Sequence, residues 1–162
     1  MLLNTSVFIR FASVFLALVV SSGAVDALAD TREAYVTELR KIGDELKRAI
    51  LSRDIKGILK YVNKEGIFCI DNRIAFDRVE KDLKAPDSQL YTNLFGRGGM
   101  KEYFESAKDQ TIRINFSVVN GKENIRSTCL RYTSSNYADW PEVCFYFEDG
   151  KWGINDSLYN CL

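Results

Sequence analysis

The chain has 162 residues, with 22 Lys+Arg balanced by 22 Asp+Glu, and contains no His. Zero formal net charge excludes a general nucleic-acid binder, which needs a basic surface to displace counterions. The missing His excludes the Ser-His and Cys-His nucleophile pairs and most zinc and copper sites, and neither a cofactor nor a metal is expected.

Residues 1–29 read as a secretory signal peptide. Arg10 supplies the positive n-region, and Phe11 to Val20 is an apolar run too short to span a bilayer. Ala27-Leu28-Ala29 is an A-x-A cleavage pattern, so the mature chain is expected to begin at Asp30. No later stretch is long and apolar enough to cross a membrane. The expected organisation is a signal peptide over 1–29 and a single domain over 30–162, exported to a periplasm or outside the cell. A domain of that size buries about two thirds of the surface its unfolded chain exposes, enough for one core.

From Asp30 to Arg53 the pattern is helical. Tyr35, Leu39, Ile42, Leu46 and Ala49/Ile50 form one apolar stripe, and the charged remainder reads as a solvated face. Asp54 reads as the N-cap of a second helix carrying Ile55, Ile58, Leu59 and Val62, and Gly66 ends it. Ile67-Phe68-Cys69-Ile70 reads as a short strand buried on both faces, bounded by Gly66 and Asp71-Asn72. Helices are expected over 75–84, after Ser88, and from Met100 to Lys108, with Gly96-Arg97-Gly98-Gly99 as a loop. That loop lacks P-loop spacing and reads as a turn, not an anion cradle.

After Asp109 the period becomes two. Ile112, Ile114, Phe116 and Val118 face one way, as in a half-buried strand. Asn120-Gly121 and Asp149-Gly150 are hairpin turn signals, with strands over Ile125–Thr133 and Val143–Phe147 between them. The second turn places Phe147 beside Trp152 and Phe145 beside Ile154. The fold class is therefore α+β, with N-terminal helices packed on a curved, mainly antiparallel C-terminal sheet.

Four Cys, at 69, 129, 144 and 161, favour disulfides in an exported chain, and four Cys allow three connectivities. A register that sets Cys129 opposite Cys144 also sets Arg131 opposite Glu142, a favourable cross-strand pair, with Leu130 beside Val143 on the other face. Cys69 would then pair with Cys161.

Few residues carry candidate chemistry. In the loop from Ser134 to Pro141, Tyr137 and Trp140 are candidate anchors for a ligand or partner. Without His, acid–base work falls to carboxylates and Tyr, and Asp71, Tyr132 and Asp156 are the weak catalytic candidates. Their bland reading is two turn caps and a Tyr packed with its hydroxyl at the surface.

The stretch from Asp54 to Val62 leading into Gly66-Ile67-Phe68 resembles the second helix and first strand of the NTF2-like (SnoaL-like) superfamily. The order of two helices, a short strand, further helices and a closing antiparallel sheet is similar to its cystatin-like α+β cone over most of residues 30–157. The resemblance implies a cone whose mouth, in the superfamily's enzymes, holds Asp, Tyr or His. This chain has no His and no matching Asp–Tyr pair. In that arrangement the first strand borders the last, which suits a Cys69–Cys161 bridge.

The function expected is an exported, disulfide-stabilised, non-catalytic domain that binds an unknown protein or small molecule. The alternative is a small lyase, isomerase or hydrolase using Asp and Tyr. An open polar pocket under the sheet would favour the enzyme or a ligand binder. A face filled by Phe116, Phe145, Trp152 and Ile154 would leave surface recognition.

Overall fold

The computed structural model describes residues 31–69, 72–136, 141–155 and 158–159. The chain divides into two compact units, Met1–Thr37 and Glu38–Leu162, and the described residues of the first are helical. No described helix is long and apolar enough to cross a membrane.

Helix α1 covers 31–52, and from Leu39 onward its stripe of Leu39, Ile42, Leu46, Ala49 and Ile50 is buried, as the periodicity requires. Arg53 turns the chain with a positive φ of 54°. Asp54 then caps α2 (Ile55–Leu59), its carboxylate accepting the Gly57 N–H at 3.1 Å. After the cap, β1 (Ile67–Cys69) pairs antiparallel with β2 (Asn72–Ile74). The strand expected over 67–70 is thus one arm of a hairpin, and Asn72, read as part of its boundary, opens the second arm. Three residues per strand are too few to show a period. Gly66 makes the entry possible. Its φ is +99°, and a Cβ there would lie 1.9 Å from the Ile74 carbonyl oxygen.

Three helices follow: α3 (Phe76–Lys84), α4 (Gln89–Phe95) and α5 (Met100–Ser106). Ser88 caps α4 by accepting the Tyr91 N–H. Val79 and Leu83 of α3 and Leu90 and Leu94 of α4 are buried. Asp82 is buried beside them, with Arg78 donating from Nε and Tyr159 from its hydroxyl. Asn93 donates to the Leu158 carbonyl at 3.1 Å, so the 158–159 segment is held against α3 and α4.

The closing sheet has the order β3-β4-β5-β6, all antiparallel, from β3 (Thr111–Val119), β4 (Lys122–Thr133), β5 (Glu142–Glu148) and β6 (Lys151–Ile154). Helices precede an antiparallel sheet, so the class is α+β. Both short turns carry positive φ at their central residues, Asn120 and Gly121, then Asp149 and Gly150. That is the type I′ geometry these dipeptides favour.

The register sorts side chains into two faces. On the inner face Ile112 lies beside Tyr132, and Ile114, Leu130 and Val143 form one row. Phe116, Thr128, Phe145 and Ile154 form the next, and Phe147 lies beside Trp152. Helix α1 sits directly on this face. A Cβ at Gly43 would lie 2.8 Å from Ile112 Cδ1 and 3.2 Å from Leu130 Cδ1, so the absent side chain sets the approach. One expectation fails here. The register shifts between Phe116 and Ser117, and Val118, expected inward, is 69% exposed. The irregularity breaks the two-residue alternation and carries the β3–β4 tip away from the core.

Candidate functional site

The inner face of the sheet holds no open polar pocket among the described residues. Phe116, Phe145, Trp152 and Ile154 are all under 9% exposed and close it with Leu130 and Val143. Tyr132, a weak catalytic candidate from sequence, lies within this packing. It is 1% exposed, its hydroxyl donates to the Gly43 carbonyl of α1 at 3.0 Å, and its ring meets Phe104 edge-on at 4.8 Å. Burial pushes its hydroxyl far above the ordinary tyrosine range. A group so enclosed and so weakly acidic is a core strut. The expectation of a surface hydroxyl also fails, because the carbonyl of Gly43 offers a buried acceptor.

Among the described residues, one open groove, of about 670 Å³, lies at the free end of the sheet. One wall is the 63–66 turn with Arg73 of β2, and the other is the β5–β6 hairpin with Arg126 of β4. The turn is fixed to the sheet edge, since Ile154 N–H donates to the Tyr61 carbonyl at 2.7 Å. Gly153 lets Asn63 in. A Cβ at Gly153 would lie 2.3 Å from Asn63 Oδ1. Tyr146, opposite Gly153 in the register, is 47% exposed and offers an aromatic face to the groove. Arg73 pairs with Glu65 across one wall. Lys64, Lys151, Glu148 and Asp149 complete a rim of mixed sign. The groove presents an aromatic ring and hydrogen-bonding groups on an open surface, which suits recognition.

A second cluster joins α1 to the turn after α2. Glu45 accepts from Lys60 Nζ at 2.7 Å and from the Tyr61 hydroxyl in a short hydrogen bond. Sequence reasoning placed Glu45 on the solvated face of its helix. Its partners lie on the following turn, and no local pattern signals a contact across that separation. The hydrogen bond from Lys60, followed by that from Tyr61, holds the Glu45 carboxyl well below the usual range, at about 2. Tyr61 is raised, first by burial and then by Glu45, and Lys60 is raised chiefly by its hydrogen bond to Glu45. All three shifts move away from neutrality, opposite to the tuning of a general acid or base. The cluster is a clamp from α1 to that turn.

This clamp has a pH signature. A carboxyl whose folded pKa lies below its unfolded value contributes stability above the unfolded pKa and loses it as pH falls through the folded one. Stability is therefore expected to decline between about pH 4.5 and pH 2 as Glu45 protonates. In Glu45→Gln that part of the decline should flatten, read as thermal midpoint against pH. An unchanged acid limb would remove Glu45 from the account.

The Gly96–Gly99 loop is a turn, as expected. Its Gly98 N–H donates to the Glu102 carboxylate at 2.8 Å, so the chain's own acid occupies the donor. On the outer face Cys129 and Cys144 are joined by a disulfide, with Cα atoms 3.9 Å apart, and Arg131 pairs with Glu142 at 2.8 Å. Both follow the register read from the sequence. Among the described residues, Cys129, Glu142 and Cys144 are the one group with three metal-ligating atoms within 4.8 Å of one another. Asp71, Asp156, Tyr137 and Trp140 lie outside the described residues, as do Cys161 and the side chain of Cys69, so the Cys69–Cys161 pairing lies there too.

No protein-family model, curated protein or solved structure matches the chain.

Proposed function

We propose that the protein is an exported, disulfide-stabilised, non-catalytic domain that recognises a partner at its surface. The filled inner face carries this reading, because it removes the place where a cone-shaped α+β fold would hold a small substrate. The Cys129–Cys144 disulfide supports an oxidising compartment, in line with the signal-peptide pattern of residues 1–29. The shape-level likeness to NTF2-like domains fits the same reading, since that fold serves binders as readily as enzymes. Recognition is assigned to the groove beside Tyr146 and Arg126, and to the Tyr137–Trp140 loop.

The test is crosslinking of the oxidised protein in the exported fraction. A partner is expected with the wild type, and should be lost in either Tyr146→Ala/Arg126→Ala or Tyr137→Ala/Trp140→Ala. Removing an interface aromatic of this kind typically weakens binding by about 2 kcal/mol or more, roughly thirtyfold. A partner retained by both double variants would remove both surfaces. A small molecule displaced by an inner-face change such as Phe145→Leu, and by neither pair, would restore the enzyme or ligand-cavity reading.

A further inference from the structure

We propose that the outer face of the sheet holds a redox-gated metal site, in which Cys129, Cys144 and Glu142 bind a soft divalent cation such as Zn2+ once the disulfide is opened. The placement comes from the antiparallel register. Cys129 and Cys144 are directly opposed, and Glu142 lies two residues before Cys144 on the same face of β5. In the oxidised protein the two bonded sulfurs and a carboxylate oxygen therefore lie within 4.8 Å of one another. All three residues are half-buried, open enough for a dithiol to reach the sulfurs and for an ion to enter.

Glu142 is already oriented for the task. Its Oε2 accepts from Arg131 Nε and from a terminal guanidinium nitrogen, each at 2.8 Å. Its other oxygen, Oε1, lies 3.9 Å from Cys144 Sγ. One oxygen thus faces the cation side chain and the other faces the sulfurs, as in metal sites where an outer partner fixes a ligand's direction. The Arg131 charge also favours thiolates over thiols and offsets the extra negative charge of two thiolates and a carboxylate around a divalent ion. Three protein ligands leave a fourth tetrahedral position for water.

A dithiol reductant attacks the Cys129–Cys144 bond, and a second exchange closes the reductant into its own disulfide, transferring two electrons and two protons to the cysteines. Metal binding then releases both thiol protons and forms two metal–sulfur bonds and one metal–oxygen bond. Oxidised protein has no thiolate to offer and no affinity for the ion at these sulfurs. The state of the disulfide thereby decides whether the face is crosslinked by sulfur or by metal.

The experiment reduces the purified protein with dithiothreitol, removes the reductant under anaerobic conditions and titrates with Cd2+. Thiolate-to-metal absorption gives stoichiometry, and a competing chromophoric chelator gives affinity. One ion per reduced chain is expected, against none for the oxidised protein. Glu142→Gln should bind at least tenfold more weakly. Cys129→Ser/Cys144→Ser, which retains Cys69 and Cys161, should lose the absorption. An undiminished band in that variant would move the site to the other cysteines and overturn the proposal. Equal affinity in Glu142→Gln would overturn it as well, as would loss of the sheet on reduction that Cd2+ does not reverse, read by circular dichroism. Glu142→Gln keeps every cysteine, so it tests the ligand set even if the serine variant fails to fold.

Discussion

Tyr132→Ala is expected to cost about 3–5 kcal/mol of folding stability, the range for removing a large aromatic side chain from a packed core. The residue is held by two helices at once. Its ring lies on Phe104 of α5, its hydroxyl reaches Gly43 of α1, and its own carbonyl accepts from Tyr103 at 2.6 Å. Truncation leaves a cavity bounded by helix backbone that cannot collapse, because Gly43 already brings α1 to contact distance of Ile112 and Leu130. Tyr132→Phe separates packing from hydrogen bonding. It keeps the ring and removes only the donor to Gly43, so a loss of about 1 kcal/mol is expected. Urea denaturation of the three proteins with a common slope checks both numbers. A Phe variant as damaging as the Ala variant would mean that the hydroxyl, not the ring, holds α1 to the sheet. A Tyr132→Ala loss under 1 kcal/mol would refute the strut altogether.

The same residue shows where sequence reading stopped. Its strand and the register of that strand with β5 follow from local signals, whereas its place beside Ile112 depends on the shift between Phe116 and Ser117. Asn120-Gly121 and Asp149-Gly150 fix two turns, alternation fixes the faces, and the Arg131–Glu142 pair selects the register that brings Cys129 to Cys144. What lies over that sheet depends on contacts far apart in the chain. The acceptor of the Tyr132 hydroxyl is 89 residues away, and nothing near Gly43 announces that a helix glycine marks a close approach. The Glu45–Lys60–Tyr61 clamp is hidden for the same reason, and so is the Asn63–Gly153 contact in the groove. The shift between Phe116 and Ser117 is a different failure. It obeys the same local rules up to Phe116, and only pairing with β4 reveals the irregularity that turns Val118 outward.

Replacing both outer-face cysteines, in Cys129→Ser/Cys144→Ser, is expected to cost about 3 kcal/mol while leaving the fold intact. Chain entropy gives the magnitude. The bridge closes a loop spanning 15 residues of sequence, and a loop of that length restricts the unfolded chain by about 3 kcal/mol. The native sheet does not need the bridge for its register. Leu130 beside Val143 still fills the inner face, and Arg131 still pairs with Glu142 on the outer one. The loss should therefore appear through the unfolded state. Without the crosslink that state is more expanded, so the urea slope should rise as the midpoint falls. Changing both cysteines avoids leaving a lone thiol free to pair with another chain. A loss well under 1 kcal/mol would mean that the β4–β5 hairpin stays closed in the unfolded chain, for only then does the bridge have little freedom left to remove.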